Sequence, residues 1–236
     1  MNKSILIPLS IVGAVAASQT SALEFSGANI EFNYLTFLDG NTGSQEVING
    51  SVEMSFGGAV GVQIDLSNTS YDFFENDGAF GGGAHVFYNV SPALTVGGFY
   101  FTEDWGNQWN SYGAEALVNV GNFTYDIAIG AYQESGGNAN FFFDTEVAYK
   151  VNERVDITAG ILIGYWGDFG DSNDLYNSYS IGAQYAFNNG LYIAADLGLL
   201  DDAGSTESSV NLAIGYNFGG GTTFGPRNYA TLWPGD

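Results

Sequence analysis

Residues Val210 to Phe218 read Val-Asn-Leu-Ala-Ile-Gly-Tyr-Asn-Phe. Val210, Leu212, Ile214, Tyr216 and Phe218 alternate with Asn211, Ala213, Gly215 and Asn217, so one face is wholly apolar and the other small or polar. A strict period of two marks a β-strand. An apolar face backed by a wet one suits a strand in the wall of a membrane barrel. It also suits the edge strand of a soluble sandwich, so the rest of the chain must decide.

The same alternation recurs in eleven earlier stretches: Ala28–Tyr34, Ile48–Phe56, Val60–Leu66, Ala84–Tyr88, Leu94–Tyr100, Tyr112–Val120, Phe123–Ala131, Phe141–Tyr149, Val155–Tyr165, Tyr179–Tyr185 and Leu191–Leu199. The residues that bound each stretch lie on its outward, apolar face. The connections alternate too. After even strands they are short, as at Gly57-Gly58, Gly121-Asn122 and Asn188 to Gly190. After odd strands they are long, as at Asp39 to Glu46, Ser67 to Ala79 and Trp166 to Ser178. A sandwich has hairpins but no reason to sort them by parity. A membrane barrel does, with short turns at one rim and long loops at the other. Rings gather at the strand ends, Tyr88, Tyr149 and Tyr185 at one rim and Tyr34, Tyr100 and Tyr165 at the other, which is the headgroup level that amphipathic rings prefer. The expected fold is all-β: a single transmembrane antiparallel β-barrel of about twelve strands. Ten or fourteen strands stay open, because Phe80 and the chain after Phe218 are ambiguous.

Met1-Asn2-Lys3 is followed by an apolar run from Ile5 to Ala17 and small residues ending Thr20-Ser21-Ala22. A basic start, a short apolar core and small residues before a cut describe a secretory signal peptide. Its cleavage is expected after Ala22, with Ala17 as the alternative. No segment has the run of about 18 apolar residues that a spanning helix needs. The expected organisation is therefore a signal peptide over 1–22, a barrel over 23–218 and a periplasmic tail over 219–236.

The chain holds 4 Lys and Arg against 26 Asp and Glu, a net charge of -22. Phosphate backbones repel such a chain, which excludes nucleic acid as a partner. It has no cysteine, hence neither a disulfide framework nor a thiolate metal site.

Three phrases carry a family resemblance: Leu23-Glu24-Phe25-Ser26-Gly27, Tyr88-Asn-Val-Ser-Pro-Ala-Leu94, and the closing Ile214-Gly-Tyr-Asn-Phe218. With these the chain resembles a small Gram-negative porin of the kind found in alphaproteobacteria. Its last strand is also similar to the C-terminal strand of bacterial outer-membrane barrels. There, alternating hydrophobes closing on an aromatic are the assembly signal, which implies that role for Val210, Leu212, Ile214, Tyr216 and Phe218 and implies the barrel-assembly machinery as a partner. The resemblance also implies an outer-membrane setting, with lipid and lipopolysaccharide around the barrel, and allows a homo-oligomer. Two features depart from general-diffusion porins: no loop is long enough for a constriction loop with facing charges, and residues follow Phe218.

On the inward faces the alternation places Glu31, Glu53, Asp65, His85, Glu115, Asp126, Asp144, Glu146, Asp156 and Asp196, with no Lys or Arg on the strands facing them. Rings of carboxylates make cation channels, so these ten are the expected pore lining. Most other inward residues are small, and twelve strands lie between a filled and an aqueous barrel. The expected function is a passive, cation-preferring channel for small solutes. The alternative is a non-conducting structural or surface barrel with acidic, cation-binding loops. His85 is the only histidine and has no adjacent nucleophile, so no catalytic residue and no enzyme activity is expected. No cofactor is expected either. Hard cations take oxygen ligands, so Asp168, Asp171 and Asp174 are the candidate Ca²⁺ or Mg²⁺ ligands. The alternative for these loops is a solvated acidic surface.

Overall fold

The computed structural model describes residues 23–38, 43–71, 78–165, 175–202 and 205–228. The expected signal peptide and the Asp168, Asp171 and Asp174 group lie outside the described residues. Twelve strands make up the wall: β1 (Leu23–Phe37), β2 (Ser44–Phe56), β3 (Val60–Tyr71), β4 (Gly78–Ser91), β5 (Leu94–Asp104), β6 (Gln108–Val120), β7 (Phe123–Glu134), β8 (Ala139–Lys150), β9 (Val155–Tyr165), β10 (Leu175–Ala186), β11 (Leu191–Asp202) and β12 (Ser205–Gly219). Each pairs antiparallel with its neighbours in sequence, and β1 pairs with β12 to close the barrel. Closure satisfies every ladder and leaves no edge, the condition for strands to cross lipid. No helix among the described residues is long and apolar enough to span a membrane.

The inward and outward register read from the alternation holds on all twelve strands. Ile30, Ile64, Ile129, Ile181, Leu197 and Ile214 point away from the barrel and are exposed, the band that lipid would cover. Asn49, Ser51, Gln63, Asp65 and His85 point inward and are buried. Phe80 lies on the outer face of β4, which removes the ambiguity in strand number.

The loops are shorter than the alternation suggests. β5 and β6 continue to the pair Asp104↔Gln108 and leave only residues 105–107 as a turn. β7 and β8 continue to Gln133↔Ala139. Beyond the apolar band the outer face is polar as well, so the polarity alternation lapses while the backbone pairing goes on.

The residues after β12 correct the expectation of a periplasmic tail. Gly219 and Gly221 have φ of 65° and 78°, a left-handed backbone that glycine adopts without strain. The chain there turns back through the short-turn mouth into the lumen. Gly221 passes directly over Gly27 of β1, where any Cβ would collide with the Gly221 carbonyl. Phe224, Arg227 and Asn228 are buried inside the barrel. Residues 229–236 lie outside the described residues.

Candidate functional site

The lumen is divided. The C-terminal segment packs against β2, β3, β4 and β6. Thr223 donates its backbone N–H to Glu53 Oε2 at 2.6 Å, and Gln63 donates Nε2 to the Phe224 carbonyl at 2.9 Å while accepting the Phe224 N–H at 3.2 Å. The Phe224 ring stacks on the His85 imidazole, centroids 5.9 Å apart and 8° from parallel, and meets Phe87 edge-on. Ser111 Oγ donates to the Arg227 carbonyl at 2.5 Å. These bonds give the Thr223 and Phe224 N–H groups and the Phe224 and Arg227 carbonyls the partners that buried backbone groups require.

His85 is 1% exposed and lies between two carboxylates, Nε2 to Asp65 Oδ2 and Nδ1 to Glu115 Oε1, both at 2.6 Å. Carboxylates only accept, so an imidazolium with both nitrogens protonated satisfies the arrangement. The Asp65–His85–Glu115 chain crosses β3, β4 and β6.

Arg227 corrects the expectation of a lumen without a strong cation. Its guanidinium donates Nη2 to Asp126 at 2.5 Å and Nη1 to Asp144 at 2.8 Å, and its Nε lies 3.5 Å from Glu115 Oε2. Arginine is always charged and presents a planar fork of donors, so one side chain engages carboxylates from β6, β7 and β8. The charge pattern held the signal for this contact: Lys3 falls in the expected signal peptide and Lys150 and Arg154 flank a turn, which leaves Arg227 as the fourth strong cation for a barrel with nine inward carboxylates.

Beside the segment lies a cavity of about 510 Å³, lined among others by Glu31, Asp126, Asp144, Glu146, Asp196 and Arg227. Glu31 accepts from Tyr192 Oη at 2.5 Å and Asn33 Nδ2 at 2.7 Å. Asp196 accepts from Thr158 Oγ1 at 3.3 Å and Asn211 Nδ2 at 3.4 Å. Glu146 is exposed to the lumen and has no cation of the chain against it among the described residues. Thus all ten expected lumen residues face inward, but they fall into groups. Glu53, Asp65, His85 and Glu115 are buried under the segment, while Glu31, Asp126, Asp144, Glu146 and Asp196 face the cavity. Asp156 is half-buried near the start of β9.

The inward faces also carry more rings than expected. Toward the loop end Phe37, Phe99, Tyr132, Phe142, Leu162, Tyr176 and Leu200 form one apolar cluster. Tyr132, Tyr176 and Leu200 lie toward strand ends, beyond the alternating stretches, while Phe99, Phe142 and Leu162 sit on the inward face within them. Among the described residues no group of side chains could hold a metal ion.

No protein-family model matches the sequence, and no curated protein matches it. Solved structures do. The KdgM porin in complex with disordered oligogalacturonate superposes with a TM-score of 0.59 at 8% identity, over 80% of this chain and 98% of that one. The fold is that of an outer-membrane porin. The NanC porin gives 0.59 at 12% identity over 83% and 99% of the two chains. The COG4313 outer-membrane channel from Pseudomonas putida F1 gives 0.61 at 11% identity over 83% and 96%. These likenesses concern the fold of outer-membrane porins and channels and do not single out the alphaproteobacterial type.

Proposed function

We propose that this chain is exported through its N-terminal signal peptide, inserts in the outer membrane and acts as a narrow, porin-like channel for small solutes with a preference for cations. It has no enzyme activity in this reading: His85 is fully engaged by Asp65 and Glu115 and has no nucleophile beside it. The carrying observation is the acidic cavity, whose described lining brings Glu31, Asp126, Asp144, Glu146 and Asp196 together with Arg227 as its one cation. Low-dielectric walls focus the field of such a lining on the solutes between them. Salt at about 0.1 M screens over about 10 Å, so selectivity weakens at high salt without changing sign. The acidic loops are the surface that would meet divalent cations and lipopolysaccharide.

The test is the reversal potential of the purified barrel in a planar bilayer under a KCl gradient. The expected sign is on the cation side. Glu146→Gln with Asp196→Asn, two carboxylates at the cavity and away from the segment, moves it toward zero. Glu115→Gln with Asp126→Asn is a poorer probe, because both carboxylates are tied to Arg227. A reversal potential on the anion side would overturn the reading. A second reading, a non-conducting barrel, is favoured by the occupied half of the lumen and by the apolar cluster at the loop end, since apolar constrictions exclude water. Absence of conductance from every variant would establish it.

A further inference from the structure

We propose that the segment from Thr222 to Asn228 is an autoinhibitory plug: it docks in the lumen through a charge lock centred on Arg227 and leaves through the short-turn mouth. The inference rests on the channel reading above.

Three observations converge on it. The segment lies across the space between β2 and β8 and takes up that side of the lumen. Its hold on the wall includes many polar contacts: beside the large apolar anchor Phe224 stand Glu53, Gln63, Ser111, Asn49 and the carboxylates around Arg227. A wall meant to be permanently filled is better served by apolar packing, whereas charge-assisted contacts are strong when made and costly to break at one partner. Finally, the segment is hinged. Gly219, Gly220 and Gly221 join it to β12, two of them with positive φ, and Gly27 leaves the passage beneath Gly221 clear. The lock and the hinge sit at opposite ends of the segment, so loss of the lock frees a strap that still has its anchor.

The geometry also fixes the way out. The segment enters at the mouth where β12 ends and β1 begins, and Gly221 to Asn228 extend at most about 26 Å from it. Toward the other end lies the apolar cluster, which the charged Arg227 side chain would have to pass. Undocking therefore moves the segment back past Gly27, toward the short turns.

The test uses the full chain, which has no cysteine of its own. A Cβ at Gly225 meets nothing within 4 Å, so Gly225→Cys introduces a single thiol in the docked segment without a clash. A polyethylene-glycol maleimide too large to enter the lumen reacts with it only after undocking, and the mass shift is read on a gel. Labelling follows the undocked population, and removing one partner of a buried charge pair shifts that population strongly, so Arg227→Gln should raise the labelling rate at least about tenfold. In a planar bilayer the same substitution should raise mean conductance. Phe224→Ala serves as the second variant, and migration of unboiled samples verifies that each barrel is folded. Equal labelling with and without Arg227 overturns the plug. Faster labelling with unchanged, nonzero conductance overturns autoinhibition but keeps the channel reading. Faster labelling with no conductance from any variant overturns both.

Discussion

Replacing His85 by alanine isolates what the imidazole does in the wall. His85, Asp65 and Glu115 are all buried, and both ring nitrogens lie 2.6 Å from a carboxylate oxygen. His85→Ala leaves Asp65 with the Gln63 amide at 2.8 Å and Glu115 with the more distant Arg227 Nε at 3.5 Å. Breaking a buried ion pair at one partner costs about 3–5 kcal/mol, because the other charge stays buried without compensation. The donors that remain pull the value toward the lower end. Loss of the stacked Phe224 contact adds about 0.5–1.5 kcal/mol. The expected loss is thus about 4 kcal/mol, read from urea unfolding in detergent micelles by tryptophan fluorescence. Adding Asp65→Asn removes one stranded charge and should recover about half of the loss, an interaction that a double-mutant cycle reports directly. A loss below about 0.5 kcal/mol, the size of an ordinary surface substitution, would refute the reasoning. So would a double variant no more stable than the single one, since the cost would then come from the cavity and not from the charges.

Two further outcomes follow from the wall and from the turn into the lumen. Ile181 lies mid-strand on the outer face of β10 and is 59% exposed, so Ile181→Arg should cost about 2–4 kcal/mol in a lipid bilayer. That value comes from folding into vesicles, and an unchanged stability would contradict the outward register of β10. Gly27→Val places a side chain where the Gly221 carbonyl lies and should expel the C-terminal segment while leaving the barrel folded. Arg227 is then open to trypsin, and mass spectrometry of the folded protein should show the chain ending at residue 227; a chain that stays intact would show that the segment tolerates the clash.

In the proposed membrane setting, what was legible in the sequence is what lipid dictates. Across the spanning part of each strand the outer face must be apolar, and this constraint reaches Ile30, Ile64, Ile181 and Ile214 alike. A register error of one residue would put Asp65 or Glu115 into hydrocarbon, so the pattern left one solution. Outside the lipid the constraint ends. Thr102↔Asn110 is as well paired as Gly98↔Ala114, yet nothing in its polarity announces a strand. The inward rings were hidden for a related reason. Phe101, Tyr176 and Tyr192 lie across Gly83, Gly164 and Gly215 of the neighbouring strands, so space that small residues seem to leave is filled from the next strand. The C-terminal segment has no period at all. Its place is set by tertiary partners, namely the three carboxylates around Arg227 and the imidazole under Phe224, and only the charge imbalance of the strands hinted that a cation had to come from elsewhere.

The occupant of this lumen is the continuation of the strand that shuts the barrel. β12 pairs with β1 from Phe37↔Ser209 down to Gly27↔Gly219, and the next residues turn inward. Each molecule therefore carries its own stopper at a fixed one-to-one ratio. Tethering makes the docking unimolecular, at an effective concentration set by a few glycines and not by the number of molecules in the membrane. Dilution, expression level and membrane crowding leave that balance unchanged. Assembly acquires an order as well: either the segment is in place when the last seam zips, or it must be threaded afterwards through the mouth beside Gly27.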